Sequence, residues 1–371
     1  MKGFAIAFGS FQAEGALRSE DNDSRGGVMR RMLLAVAVGT AATLMSGAAM
    51  AGKDLDAIKA RGQVACGVGV GTAGFHIADS QGKWVGLNVD VCKAIAAAIF
   101  GDAEKVKYIP LSAQQRFTAL QSGEVDLLSN NTTWSLTRDT ALGFDFGAVT
   151  YYDGQAFLVN KKLGVKSAKE LNGATICVTP GTLTELNLAD YFRVNKMTFK
   201  PVVIEKIDEI RAAFFSGRCD VFTTDASALF ATRVANVPAP AKAEDFIILP
   251  EIISKEPLAP AFRQGDNQWG DIIRWSQYAM IEAEEYGITS KNVDEMLKSD
   301  NPAIKRILGV TPGMGKALGV DEKWVYNIVK LVGNYGESFE RNVGSGSILK
   351  IDRGLNKLWK DGGLQYAPPV R

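Results

Sequence analysis

The chain has 371 residues, 46% of them hydrophobic, with 42 basic and 41 acidic side chains. A net charge of +1 argues against a nucleic-acid partner, which needs a basic surface. This length and apolar content support a sizeable core, divided between two lobes.

Residues 1–28 are rich in Gly, Ser and charge and read as an extension outside the native protein, with Met29 as the start. Arg30-Arg31, an apolar run from Met32 to Met45, and Ala49-Met50-Ala51 follow. That is a charged region, an apolar region and an A-x-A cleavage site, the layout of a secretory signal peptide over 29–51. The alternative, a retained anchor, suffers from a run too short for an ordinary span. Cleavage after Ala51 leaves 320 of the 371 residues. No later segment is long and apolar enough to span a bilayer. No Cys follows the small residues of the signal to take a lipid.

In the remaining chain, Gln63–Val68 reads as a buried strand and Asp79–Gly82 as a turn. Trp84-Val85-Gly86 leads into a helix over Val89–Phe100 that stops at Gly101. Val106–Ile109 is a strand, Gln114–Gln121 a helix closed by Ser122-Gly123, and Val125–Ser129 a strand. This alternation predicts a parallel α/β arrangement. A second half repeats it: strand Ala174–Val178, helix Leu183–Asn195, strand Lys200–Ile204, helix Ile207–Phe215, and a last strand Asp220–Thr224. Ser122-Gly123-Glu124-Val125-Asp126 and Ser216-Gly217-Arg218-Cys219-Asp220 stand at the same place in each half. The repeat predicts two similar lobes with a ligand cleft between them.

Thr150–Gln155 and Ile252–Pro260 are the candidate crossovers, giving 52–151 and 152–255 as lobes and 256–371 as a return with a helical extension. Two extended connections form a hinge that lets lobes close. Later helices are expected around Trp269–Tyr286, over Glu322–Asn334 and over Lys350–Lys360, with a polar stretch at Thr289–Asp300. The purpose of 288–345 is not legible.

Cys66, Cys92, Cys177 and Cys219 are an even set in an exported chain, which suggests disulfides. Pairing Cys66 with Cys92 and Cys177 with Cys219 keeps each bridge within one lobe. Four buried free thiols are the other reading. The wide spacing gives no C-x-x-C metal site, and no metal or cofactor is expected.

The chain resembles the polar-amino-acid solute-binding proteins of ABC importers, which have the type II periplasmic-binding-protein fold, two α/β lobes on a two-strand hinge. The motifs are Gly86–Val91, the Arg116 helix ending in Ser122-Gly123-x-x-Asp126, Thr132-Thr133 with Arg138, Pro180-Gly181-Thr182 and Thr223-Thr224-Asp225. Within them it is similar to the general L-amino-acid-binding subfamily, through its Cys-Gly-Val start, the Asn130–Trp134 run and Tyr366–Pro369. The resemblance covers nearly all of 55–371. It implies a monomeric, non-catalytic periplasmic binder that hands L-amino acids to inner-membrane permease subunits.

An amino acid is a zwitterion, so its binder needs a cation for one end and an anion for the other. Arg138 offers a planar fork matched to a carboxylate; the alternative is a surface arginine paired with Asp139. The resemblance assigns ligand contacts to Thr133 and Asn131, and to the Thr182 hydroxyl and Leu183 N–H at a helix start, where anions are favoured. Thr182 also reads as a plain helix cap. Asp225 is assigned to the ammonium, against an alternative as N-cap of the next helix. Phe75 reads either as pocket wall or as core, and Trp134 as roof or packing. His76, the only histidine, reads by default as a satisfied loop residue. Narrow-specificity members carry an acidic and an aromatic residue where Gly69 and Thr72 stand here, which predicts a roomier, broader pocket.

Gly69-x-Gly71-x-x-Gly74 mimics a dinucleotide fingerprint, but no helix is expected to open there. Two rival functions remain. One is a cyclohexadienyl-type dehydratase on the same fold, for which His76 and Asp225 are the available acid–base groups. The other is a ligand sensor.

Overall fold

A computed structural model describes residues 52–371; the segments expected to be an extension (1–28) and a signal peptide (29–51) lie outside the described residues. Helix α1 (Lys53–Arg61) precedes β1 (Val64–Val68), a small hairpin of β2 (Ile77–Ala78) and β3 (Trp84–Val85), and α2 (Leu87–Phe100). Then come β4 (Val106–Pro110), α3 (Gln115–Ser122), β5 (Leu127–Ser129) and β6 (Phe144–Phe146). Helices α2 and α3 each end on a left-handed glycine, Gly101 at φ 65° and Gly123 at φ 79°, as their sequence stops predict.

The first sheet has the order β4-β1-β5-β14-β6, where β14 is Ala261–Arg263. Strand β1 runs parallel to β4 and β5, while β14 is antiparallel to β5 and β6. The second lobe comprises β8 (Gln155–Asn160), β9 (Thr175–Val178), α4 (Leu183–Val194), β10 (Lys200–Val203), α5 (Ile207–Phe215), β11 (Val221–Asp225), α6 (Ala226–Ala235) and β12 (Phe246–Ile248). Its sheet order, β10-β9-β11-β8-β12, repeats the first, with β8 antiparallel to β11 and β12.

The sheets are therefore mixed rather than parallel, and β11 is not the last strand. The antiparallel members β8 and β14 leave the hinge directly and enter their sheets from the opposite end. Strand β8 is buried on both faces, so it shows no polar alternation to reveal it. Its side chains still divide with period two: Ala156 and Leu158 join Phe214 and Phe222 on one face, Phe157 and Val159 join Leu188 and Phe192 on the other.

The repeated aspartate has one job in both lobes. Asp126 donates its backbone N–H to Ala65 O (2.8 Å) and accepts the Ala65 N–H on its carboxylate (2.6 Å). Asp220 does the same with Thr175, at 2.8 Å in both bonds. Each pins the third βα strand to the first. The disulfides Cys66–Cys92 and Cys177–Cys219 are both formed, one per lobe.

The hinge is an antiparallel ribbon of β7 (Tyr151–Asp153) and β13 (Glu256–Leu258), with Tyr151 opposite Leu258 and Asp153 opposite Glu256. The long helix α7 (Asn267–Glu285) packs on α2. Short helices α8 (Val293–Met296), α9 (Pro302–Ile307) and α10 (Met314–Leu318) lead to α11 (Trp324–Leu331) and α12 (Tyr335–Asn342), which pack against α2 and α7. The expected helix at Lys350–Lys360 is absent. Two short 3-10 turns, Gly354–Asn356 and Trp359–Asp361, stand there, because Lys350 and Gly354 adopt positive φ that breaks an α-helix. The segment instead braces the hinge: Asn356 accepts the Tyr152 N–H (2.7 Å) and donates to Tyr152 O (3.2 Å). Among the described residues no helix is long and apolar enough to cross a membrane.

Candidate functional site

The loop after β5 builds the first wall of the cleft. Asn131 sits at φ 43°, a left-handed conformation that Asn tolerates. Thr133 forms a bridge with Leu258 of the hinge. A single π-helical turn, Thr137–Ala141, then aims Arg138 back into the protein, a distortion often found at functional sites. The Arg138 Nη1 donates to Thr133 O at 2.8 Å, and the side chain is buried. Asp139 is occupied by the Trp134 indole N–H (2.9 Å), so the surface-pair reading of Arg138 fails.

A second arginine, which sequence reasoning used only as a motif marker, stands beside it. Arg116 of α3 is buried and donates to Asn130 O at 3.0 Å. The guanidinium carbons of Arg116 and Arg138 lie 4.9 and 5.0 Å from the Phe117 ring centroid. Burial lowers both pKa values, to about 9 for Arg116 and about 10 for Arg138, so both stay cationic at neutral pH. Helical spacing on an apolar face was the one signal for Arg116.

Asp225 closes β11 from the other lobe. It stands at the N-cap position of α6 but makes no capping hydrogen bond. Asp153 of the hinge takes the Ser227 N–H instead, at 3.3 Å. The cap reading of Asp225 is thereby excluded, and its carboxylate lines the cavity. Burial, reinforced by Asp153 and Glu256 and opposed by Arg116 and Arg138, pushes its pKa well above the usual carboxylate range.

Thr182 caps α4, accepting the Glu185 N–H (3.2 Å) and donating its only hydroxyl hydrogen to Thr179 O (2.7 Å). The adjacent Leu183 N–H belongs to the first helical turn, which has no intrahelical acceptor. This end of the cleft therefore offers backbone N–H groups, with Thr182 shaping the turn.

Glu256 was not anticipated. It lies in β13, almost fully buried, and accepts from Thr133 Oγ1 (2.5 Å), Asn187 Nδ2 (2.9 Å) and Ser254 Oγ (2.6 Å). It thus ties the first wall, the second lobe and the hinge together. A lone carboxylate inside the Pro-bounded crossover was the available signal.

Arg138, Asp225, Thr133, Asn131, Thr182 and Leu183 all line one cavity of ≈ 120 Å³, with Arg116 and Glu256. Phe75 does not. It is fully buried in the large core, edge-on to Tyr151 at 5.4 Å. Trp134 stacks on Phe146 at 5.6 Å, 42% exposed and outside the lining. His76 does line the cavity and is buried. A Cβ on Gly69 would meet His76 Nε2 at 2.3 Å, so the glycine makes room for the imidazole rather than a wider pocket. The lobes touch across the cleft: Ser112 Oγ donates to Glu205 (2.5 Å), and Arg211 Nη1 donates to Gly71 O (3.0 Å).

Comparison with known proteins agrees with this geometry. The pattern of the bacterial extracellular solute-binding proteins, family 3, matches residues 64–326. The chain is 57% identical over 345 residues to the general L-amino acid-binding periplasmic protein AapJ of Rhizobium johnstonii, covering 92% of this chain and 100% of that one. It is 55% identical over 331 residues to the glutamate/glutamine/aspartate/asparagine-binding protein BztA of Rhodobacter capsulatus, covering 89% and 96%. A periplasmic binding protein from Brucella ovis, solved with glutathione bound, superposes with a TM-score of 0.82 at 57% identity, covering 85% of this chain and 99% of that one. The chain belongs to the family 3 extracellular solute-binding proteins.

Proposed function

We infer that this family 3 solute-binding protein captures L-amino acids in the periplasm and delivers them to the permease of an ABC importer. The observation that carries the reading is one cavity lined by Arg138 from one lobe and Asp225 from the other. An α-carboxylate meets the Arg138 fork and the Leu183 N–H; an α-ammonium meets Asp225, with Thr133 and Asn131 completing the wall. Because the two ends of the zwitterion are held by different lobes, ligand stabilises the closed state. The names of the relatives, one for L-amino acids in general and one for four acidic and amide amino acids, support a range of ligands. The 29–51 segment acts as a cleaved signal, and the mature chain from Gly52 works as a monomer.

The test is calorimetric titration of the mature protein with a panel of L-amino acids and glutathione, beside Asp225→Asn. Saturable binding of several amino acids, weakened about 30-fold in the variant, is the expected result. No binding by folded wild-type protein rejects the amino-acid reading and directs attention to dehydratase substrates.

A further inference from the structure

The zwitterion clamp leaves two lining groups of the cavity unused, Arg211 and His76. Arg211 of α5 is buried, and its Nε has no hydrogen-bond partner. Among the described residues its acceptors are Gly71 O at 3.0 Å and Asp208 Oδ1 at 3.2 Å, both reached through Nη1. The Asp208 side chain is 89% exposed, so that pair is weak. His76 faces the same space. Its Nδ1 lies 2.9 Å from Asn88 Nδ2, which also donates to Asn131 Oδ1 at 2.5 Å. An amide nitrogen only donates, so Nδ1 accepts and the ring hydrogen sits on Nε2. Burial and the nearby Arg211 and Arg116 keep the ring neutral, with its pKa lowered to about 3. Gly69, where a side chain would collide with this ring, is what lets the imidazole fill the position.

Two neighbouring donors thus line the cavity without a role in holding the α-carboxylate or the α-ammonium. A guanidinium has no acceptor capacity, and a buried donor left unmatched is costly. Glu205, an acid of the same lining, is exposed and already accepts from Ser112. We propose that Arg211 and His76 form a side-chain subsite that favours L-amino acids ending in a carboxylate or carboxamide; this rests on the zwitterion reading above. Such a ligand accepts from Arg211 and from His76 Nε2–H together. Apolar side chains leave both donors unmatched, and cationic ones meet like charge.

The experiment titrates mature wild type, Arg211→Leu, Arg211→Lys and His76→Phe with L-glutamate, L-glutamine, L-alanine and L-lysine. Wild type should prefer glutamate and glutamine, with lysine weakest. Arg211→Leu should weaken glutamate at least about tenfold more than alanine. Arg211→Lys should restore part of the glutamate preference, since it keeps the charge without the fork. His76→Phe keeps a ring and removes the donor, and reads the same subsite should Arg211→Leu fold poorly. It should weaken glutamate and glutamine more than alanine. Equal weakening of all ligands by Arg211→Leu would assign Arg211 to a latch on Gly71 and overturn the subsite, leaving the binding function intact. A wild type with equal affinity for all four also overturns it. A wild type that binds none overturns the subsite and the function beneath it.

Discussion

The two lobes share one strand order and one aspartate pin, yet they meet the cleft differently. The first lobe presents groups already held by protein: Arg138 on Thr133 O, Arg116 on Asn130 O, and His76 on Asn88. The second presents groups with spare capacity: the start of α4 and an Asp225 that caps nothing. An unpartnered Nε is common to Arg116 and Arg211 and does not separate the lobes. On the proposed reading, ligand docks first on the preorganised wall, and the second lobe gains its partners by closing. The cores differ in the same sense. One face of the first sheet shares a large cluster with α7, α11 and α12 and its other face carries a small one, whereas the second lobe has two small clusters, one on each face of its sheet.

The disulfides test that difference most severely. In the loop-closure treatment, losing Cys177–Cys219, with its 42-residue separation, costs about 4 kcal/mol, and losing Cys66–Cys92, separated by 26, about 3.5 kcal/mol. Falling on the smaller cores, the first loss should split off an early melting transition for the second lobe. Calorimetry of Cys177→Ser/Cys219→Ser beside Cys66→Ser/Cys92→Ser would show it. A single shared transition in both would mean that the lobes unfold as one.

The binding asymmetry comes next. Arg138→Ala should cost about 3 kcal/mol of ligand affinity, roughly 150-fold, since a desolvated carboxylate loses its cation. Asp225→Asn should cost about 2 kcal/mol, roughly 30-fold, because Glu256 remains nearby to receive the ammonium. Titration in which Asp225→Asn is the worse variant would reverse the docking order.

Glu256→Gln sharpens the comparison at the hinge, where one carboxylate serves both walls. Three hydrogen bonds survive in reduced form, so about 1 kcal/mol of affinity should be lost. Small-angle scattering should show a larger open fraction without ligand. An unchanged profile would reduce Glu256 to a packing role.

The smallest effects are those of pH. In the folded protein Asp225 and Asp153 hold protons more tightly than in the unfolded chain, Asp153 because burial raises it from 3.8 to about 6. A raised carboxyl stabilises the fold at low pH and loses that contribution as pH rises through the folded value, for Asp153 between 3.8 and about 6. Ligand binding runs the other way. The ammonium needs ionised Asp225, so affinity should rise with pH through its elevated pKa, and binding should release protons. Titrations in buffers of different ionisation enthalpy measure that release, and Asp225→Asn should abolish it.

Local rules made much of the molecule legible before any coordinates. Gly101 and Gly123 end their helices because a left-handed cap suits glycine, and helix Ile207–Phe215 has the bounds its sequence predicts. The repeated Ser-Gly-x-x-Asp announced two like lobes, and spacing paired the cysteines. The cleft side of Asp225 and Thr182 followed from the family resemblance, and that of Arg138 from the match of its planar fork to a carboxylate. Phe75 did not, because a buried aromatic next to a loop looks the same whether it faces ligand or core.

What the tertiary structure alone decided concerns groups brought together from distant segments. Strands β8 and β14 enter their sheets antiparallel because the hinge turns the chain around, which no period-two pattern records in strands buried on both faces. Glu256 meets Thr133 across 123 residues and Asn187 across 69. His76 fills the space that Gly69 leaves open, so a missing side chain there became a hydrogen-bond donor rather than empty volume. Composition and spacing specify which elements form, since those depend on neighbours in sequence. Which charges share a cavity depends on how two lobes fold over one hinge, and only the packed chain determines that.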